Sequence, residues 1–122
     1  MSKDVRVVIV KPHEPAKEAV IKDDLSVLQQ TVEGWIEITY PFDDNVCVVG
    51  NDEAKLIGME GTARINGSIY CGPLIIAAEG EDGEFADLTD EQVQEYLEMF
   101  AEPDEISQEE IEGDMNYTIF SW

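Results

Sequence analysis

The chain has 122 residues, 43% of them hydrophobic, and its 28 acidic side chains outnumber its seven lysine and arginine residues to give a formal net charge of −21. This length fits one domain with a core of its own, and no apolar run approaches the roughly eighteen residues of a membrane-spanning helix. The charge disfavours direct binding to nucleic acid or to an anionic membrane. The first residues lack the apolar stretch of a signal peptide, so a cytoplasmic location is expected.

Two strands are predicted to open the fold. The segment Val5–Val10 is apolar at nearly every position, which is typical of a central strand covered on both faces. Two prolines break the chain over residues 11–15. The short apolar segment 19–21 is then expected to return as an antiparallel partner of the first strand.

A first helix is predicted to run from the N-cap Asp24 to about Glu33. Gly34 stands where a glycine commonly ends a helix in the left-handed conformation. The side chains expected on the buried stripe of this helix are Leu25, Leu28 and Val32.

A hairpin is predicted to follow the first helix. Residues 35–42 alternate as a half-buried strand does, and Pro41 indicates that this strand ends there or lies at a sheet edge. A turn at residues 43–45 leads into a second strand at residues 46–49. The side chains expected on the buried face of the first of these strands are Ile36, Ile38, Tyr40 and Phe42.

Glycines punctuate the middle of the chain, where residues 55–57 are interpreted as a short strand. The pair Asn66 and Gly67 between two apolar segments predicts a type I′ hairpin. A buried strand is expected at residues 74–79, and a flexible acidic turn at residues 80–84.

The clearest helix spans residues 88–100. Thr89 and Gln92 have the spacing of a capping box, and Leu88 and Val93 that of a hydrophobic staple. One face of this helix is apolar and the opposite face is acidic, as expected for a helix docked on a sheet. Its predicted buried residues are Val93, Tyr96, Leu97 and Phe100.

After Pro103, Ser107 and Glu110 form a second capping-box pattern with Gly113 as the expected end of the helix, and residues 116–122 are predicted to be a last strand. The sequence therefore predicts one α+β domain over residues 1–122, in which residues 103–122 are interpreted as an added C-terminal extension. Its mixed or antiparallel sheet should have about five to seven short strands, with two or three helices packed on it.

No catalytic motif is present. Cys47 and Cys71 lie in apolar surroundings, which favours two buried reduced thiols, with a disulfide between them left open. His13 is the only histidine, in a proline-flanked loop, and is expected to be exposed rather than a catalytic base. Too few Cys and His residues exist for structural zinc, and the acidic turn at 79–84 lacks the EF-hand spacing. We therefore expect no enzyme activity, no metal and no cofactor.

Several short motifs stand in a fixed order between Leu25 and Phe100. They are Leu28-Gln29, Gly34, Ile36-Glu37, residues 51–56, Gly72-Pro73, residues 83–85 and residues 88–92. In this order and spacing the segment, about three-fifths of the chain, resembles a family of small uncharacterised acidic proteins carried by bacterial phages and mobile elements. The loop at residues 58–62 departs from the proline-bearing loop of that pattern. The resemblance implies a phage or mobile-element setting, hence a host-cell cytosol, and no reaction.

The charge is distributed unevenly, because the 58 residues after Arg64 contain 16 acidic residues and no lysine or arginine. A solvated face that only aids solubility is one interpretation. The other is a nucleic-acid mimic that blocks a basic, nucleic-acid-binding host protein of a defence system, because carboxylates on a helix can be spaced like phosphates. The residues predicted to bind such a partner are Glu81, Asp82, Glu84, Asp87, Asp90, Glu91, Glu95, Glu98, Glu102, Asp104, Glu105, Glu109, Glu110, Glu112 and Asp114.

Three alternatives remain open from the sequence. A small-molecule or nucleotide-binding module would use the glycine-rich region 50–72 with Lys55 or Arg64 nearby. An enzyme with an unfamiliar carboxylate site would need a deep cleft with perturbed acids. A phage assembly or interaction subunit would expose an apolar patch, expected around Tyr117, Phe120 and Trp122.

Overall fold

A computed structural model describes the backbone of residues 3–119 and the side chains of residues 3–114. Within that part of the chain it contains eight strands and three helices, which confirms the predicted α+β class. The elements follow in the order β1 (Asp4–Val10), β2 (Lys17–Lys22), α1 (Leu25–Val32), β3 (Ile36–Thr39), β4 (Val46–Asn51), β5 (Gly61–Ile65), β6 (Ser68–Cys71), β7 (Leu74–Glu79), β8 (Phe85–Ala86), α2 (Asp90–Met99) and α3 (Gln108–Ile119).

The main sheet has the strand order β2-β1-β7-β4-β3, with β8 paired to the end of β7, and every pairing is antiparallel. Strands β1 and β7 lie in the middle, as their nearly continuous apolar sequences predict. Strands β5 and β6 form a separate hairpin whose turn residues, Asn66 and Gly67, have φ values of 50° and 83°. Both positive values fit the predicted type I′ turn.

The sheet is covered on both faces, so the molecule has two principal cores. On one face α2 and the β5–β6 hairpin pack over Val8, Val48 and Ile76. On the other face α1 packs through Leu28 and Val32 over Val7, Cys47 and Ile75. None of the described helices is long and apolar enough to cross a membrane.

Helix α1 begins at the predicted N-cap, where the Asp24 carboxylate accepts a hydrogen bond from the Ser26 amide. Two expectations were wrong. Leu25 is 55% exposed, because the helix packs through Leu28 and Val32 and leaves its first turn in solvent. The left-handed residue that ends the helix is Glu33 (φ 65°), and not Gly34.

Strand β3 is an edge strand paired with β4, as predicted, but only four residues long. Ile38 and Tyr40, expected in the core, are 37% and 61% exposed because no helix covers this end of the sheet edge. Phe42 lies beyond the strand and packs against Tyr96 of α2, with ring centroids 4.9 Å apart. Residues 55–57 form turns rather than the expected strand.

Helix α2 has the predicted capping box between Thr89 and Gln92, and Val93, Tyr96 and Phe100 are buried, while Leu97 is half-buried against the same core. Helix α3 runs through Gly113 to Ile119, so the expected helix end at Gly113 and the strand from residue 116 were wrong for the described part of that segment. A glycine inside a helix weakens it without breaking it. Residues 120–122 lie outside the described chain.

Candidate functional site

Six of the seven lysine and arginine side chains form ion pairs within the chain. Arg6 and Arg64 are discussed below, and the lysine pairs are Lys3–Glu84 (3.8 Å), Lys17–Glu14 (3.8 Å), Lys22–Asp4 (3.5 Å) and Lys55–Asp114. His13 also lies 2.9 Å from Glu60, in an exposed loop as predicted. Most of the positive charge is therefore neutralised internally, and the remaining carboxylates far outnumber the remaining basic side chains.

Arg6 on β1 fixes the start of α2. Its guanidinium donates to Asp90 at 2.5 Å and to Glu18 at 2.6 Å, and its backbone N–H donates to the Asp87 carboxylate at 2.8 Å. The hydrogen bond to Asp90, followed by that to Glu18, raises the pKa of Arg6. Asp87 and Asp90 therefore tie the start of α2 to β1, although the Asp90 side chain itself remains 92% exposed.

Arg64 on β5 fixes α3 in a similar way. Its guanidinium makes two 2.6 Å hydrogen bonds to the Glu110 carboxylate, and its backbone N–H donates to Asp104 at 2.9 Å. The hydrogen bond from Arg64 lowers the pKa of Glu110. Together with Lys55–Asp114, these contacts anchor α3, and Ile111 completes a small apolar cluster with Ala54 and Cys71.

A groove of about 640 Å³ lies between the end of α2, the loop before β4 and the β5–β6 hairpin. Its floor includes Phe42, Tyr96 and Met99, the last 49% exposed. Arg64 also lines it, but Glu110 already binds that guanidinium. We call it the acidic groove because its carboxylates come from three segments: Glu14; Asp43 and Asp44; and Glu95, Glu102 and Asp104.

Tyr96 ties the groove's loop to α2. The hydroxyl of the buried Tyr96 donates a hydrogen bond to the Asp44 carboxylate, at 3.1 Å from one oxygen and 3.2 Å from the other. Burial raises the pKa of Tyr96 first, and the charge and hydrogen bond of Asp44 raise it further. Nearby, the Gln92 amide donates to Asn45 at 3.0 Å. The groove wall is thus fixed by packed side chains rather than by a free loop.

The structure separates the fifteen predicted partner-binding acids into groups with different roles. Those in the acidic groove are Glu95, Glu102 and Asp104. Those bound to basic side chains or to the Arg6 backbone are Glu84, Asp87, Asp90, Glu110 and Asp114. Asp82 accepts a hydrogen bond from the Glu84 amide in its turn. Most of the paired acids remain exposed as well, and those exposed without a basic partner named above are Glu81, Glu91, Glu95, Glu98, Glu102, Glu105, Glu109 and Glu112.

Three acids of the groove were not predicted to belong to the site. Glu14, Asp43 and Asp44 come from the less acidic first half of the chain, and Asp43 and Asp44 were interpreted only as turn residues. Linear charge density carries no signal for them. Packing of Phe42 on Tyr96 brings Asp43 and Asp44 to α2, and the Ala16 amide, which donates to the Phe100 carbonyl at 3.0 Å, brings the loop of Glu14 there.

A second groove, of about 550 Å³, lies beside β3 and β4 in the glycine-rich region. Glu37, Asp52 and Glu53 line it, together with Lys55 and Asp114. The nucleotide-binding alternative requires a basic side chain here, but the Lys55 amine is bound by Asp114 and Arg64 lines the other groove. The glycine-rich region therefore offers an anionic ligand no unpaired cation among the described side chains.

Both cysteines are free and buried, so the predicted reduced thiols are confirmed and the disulfide alternative is excluded. Burial raises the pKa of the Cys47 thiol to about 11, with the charge of Glu79 as a smaller cause. Within the described part of the chain no group of three or more His, Cys, Asp or Glu residues is placed to hold a metal ion. The side chains of Tyr117, Phe120 and Trp122, named for an apolar patch, lie outside the described residues.

These features define a small acidic α+β domain with a sheet covered on both faces and a carboxylate-lined groove at one end of α2. Residues 5–101 match a protein family described as a domain of unknown function, DUF3846, and the chain belongs to that family. The match includes the main sheet from Val5 onwards, α1 and α2, while α3 lies beyond it. Neither the curated proteins nor the solved structures contain a match to the chain.

Proposed function

We propose that this chain is a non-enzymatic binding protein of bacterial phages or mobile elements that blocks a basic, nucleic-acid-binding host protein. The observation that carries this proposal is the acidic groove, whose carboxylates come from three segments while its only arginine is already bound by Glu110. A concave negative surface of this kind complements a protruding lysine- or arginine-rich surface.

The exposed face of α2 extends the groove. Glu91, Glu95 and Glu98 are all exposed and lie four and three residues apart, so they share one face of the helix. Carboxylates at such spacings are about 5–6 Å apart, which is close to the spacing of phosphates along a nucleic-acid strand. Because Arg6 and the capping box fix the start of α2, these charges are presented on a rigid element.

A pre-organised row of charges supports tight binding for two reasons. Little side-chain order must be gained when the partner arrives, since the helix is already fixed on the sheet. Association of two highly charged surfaces also releases the counterions that each held, as binding to DNA does. We therefore propose that the partner surface occupied by this protein is one that otherwise holds nucleic acid.

Capture from a bacterial lysate tests the proposal directly. The immobilised full chain should retain a basic protein at low salt and release it steeply as salt rises. The triple variant Glu91→Lys, Glu95→Lys, Glu98→Lys should lose the captured protein while keeping its circular dichroism spectrum, because all three side chains are exposed.

The matched control reverses three carboxylates outside both α2 and the acidic groove, namely Asp23→Lys, Glu33→Lys and Glu60→Lys. This control changes the net charge by the same amount and should retain the partner. If the two triple variants lose or retain the partner alike, a specific role for the α2 face is wrong.

A further inference from the structure

The two edge strands of the main sheet, β2 and β3, differ in the charged residues that they carry. The edge strand β2 carries Lys17 and Lys22. Each of these lysines pairs with a carboxylate, so this edge of the sheet presents charges of both signs. Charged side chains, lysine above all, are the usual means of keeping an edge strand from pairing with another chain. The β3 edge has no lysine or arginine, because residues 23–54 contain none, and its only charge is the negative charge of Glu37.

The β3 edge also presents backbone groups that no described strand meets. The Asp52 amide donates to the Trp35 carbonyl at 2.8 Å, which makes Trp35 and Asp52 a hydrogen-bonded pair of the β3–β4 ladder. Because such pairs alternate in an antiparallel ladder, the N–H and C=O groups of Ile36 and Ile38 point away from β4. They face the open side of the sheet, where no described strand lies.

The two faces of β3 differ in chemistry. Ile38 and Tyr40 lie on one face and are 37% and 61% exposed, so apolar area is available there. Glu37 points to the other face, where it lines the second groove with Asp52 and Glu53. An added strand would therefore meet apolar side chains on one face and carboxylates on the other.

We propose that the β3 edge binds an extended segment of a basic partner as an additional strand, with apolar residues alternating with lysine or arginine. The ladder would use the outward groups of Ile36 and Ile38, the apolar residues would cover Ile38 and Tyr40, and the basic residues would meet Glu37, Asp52 and Glu53. A second copy of this chain is a poor occupant, because it would bring Glu37 and a net charge of −21 against the same surface. This inference rests on the proposed function for the partner's basic character and adds a second place of contact.

The probe for this test is a synthetic capped peptide of alternating valine and lysine residues, mixed with the full isotope-labelled chain. Nuclear magnetic resonance should show slowed amide exchange at Ile36 and Ile38 on binding, and fluorescence anisotropy gives the affinity. Ile38→Lys should weaken binding by about tenfold or more, since a lysine blocks the edge. Val20→Lys on the β2 edge, at a side chain that is 64% exposed, makes the same charge change and should leave the affinity within about twofold.

A second peptide, in which every valine is replaced by proline, keeps the charge but cannot form a ladder, and should bind at least about tenfold more weakly. This comparison leaves the protein unaltered, so it stands even if Ile38→Lys perturbs folding. Equal affinity for the two peptides, or exchange unchanged at Ile36 and Ile38, would overturn the edge proposal. The lysate capture with the α2 triple variant decides the proposed function separately, because none of its substitutions touches β3.

Discussion

At the scale of single residues, Asn51 joins the end of α1 to the sheet. Its side-chain amide donates to the carbonyls of Val32 (3.1 Å) and Glu33 (3.2 Å), and its carbonyl accepts from the Glu53 amide at 2.8 Å. A helix C-terminus leaves carbonyls unsatisfied, and Asn51 satisfies two of them. A Cβ atom at Gly34 would lie 2.6 Å from the Asn51 amide nitrogen, so Gly34 is required by this close approach and not by a left-handed conformation.

Gly34→Ala should therefore destabilise the protein by about 1–3 kcal/mol, because Asn51 must give up buried hydrogen bonds. Urea unfolding measures the change. Gly113→Ala is the control, since nothing lies within 4 Å of a Cβ there and alanine favours a helix over glycine. A Gly34→Ala variant as stable as the Gly113→Ala variant would mean that Asn51 does not hold α1.

The buried Cys47 thiol predicts a loss of stability in base. Its pKa is raised from the ordinary 9.0 to about 11, chiefly by burial. Below pH 9 the thiol is protonated in both states and its contribution is complete; between pH 9 and 11 only the unfolded state loses the proton, so the free energy of unfolding falls as pH rises. The fall attributable to Cys47 should reach about 2–3 kcal/mol, measured as the steeper pH dependence of the native chain relative to Cys47→Ala. Parallel pH profiles would contradict it.

At the scale of elements, α3 is held by two ion pairs and by one buried apolar side chain. It lies beyond the residues of the family match and contributes the buried Ile111, while Arg64–Glu110 and Lys55–Asp114 fix it to the hairpin and the turn before it. Lys55 and Arg64 are the only basic residues after Lys22, and both are used for this purpose. Cys71, 4% exposed, shares the cluster with Ile111 and so reports whether α3 is in place.

The double variant Glu110→Lys, Asp114→Lys should expose Cys71, raising its labelling rate with a thiol reagent roughly tenfold as the ion pairs become repulsive. Cys47 lies under α1 on the other face of the sheet and serves as an internal control whose rate stays unchanged. Glu109→Lys with Glu112→Lys makes the same charge change at exposed positions and should leave Cys71 protected. Equal labelling of Cys71 in the two variants would show that the ion pairs do not hold α3.

The elements also show where sequence patterns suffice. Helix α2 could be predicted in detail because its cap, staple and apolar stripe are all local and agree with one another. Strand β3 and helix α3 could not. The exposure of Ile38 depends on which strand lies beside it, and continuation of α3 through Gly113 depends on tertiary contacts such as Lys55–Asp114. The alternating pattern of residues 35–42 does not show which strand lies beside β3, and Gly113 alone does not show whether α3 continues.

At the scale of the whole molecule, 28 acidic residues against seven basic ones place strong mutual repulsion on the folded state. Added sodium chloride screens that repulsion, and also weakens the few ion pairs, which are fewer than the unpaired carboxylates. We expect the melting temperature to rise between low salt and about 1 M salt, where the screening length is about 3 Å. A flat or falling melting temperature in a scanning calorimeter would mean that the charges are too far apart to repel.

Part of the candidate site follows from the overall excess of acidic residues in the chain. The excess of acids after Arg64 could be read from the sequence, and it includes Glu95 on α2 and Glu102 just after that helix, which both line the groove. The ion pairs of Asp90, Glu110 and Asp114 could not be predicted, since their partners lie at least 46 residues away along the chain. Folding alone decides which carboxylates remain available.

Competition with DNA tests whether the acidic surface occupies a nucleic-acid-binding site of the partner. A protein captured from bacterial lysate on the immobilised chain is challenged with duplex DNA or with polyglutamate at equal concentrations of negative charge. We expect DNA to release the captured protein and polyglutamate to do so far less effectively, because DNA has a defined affinity for the same basic surface of the partner. Retention of the partner at saturating DNA would show that DNA and this protein do not share a binding surface on the partner.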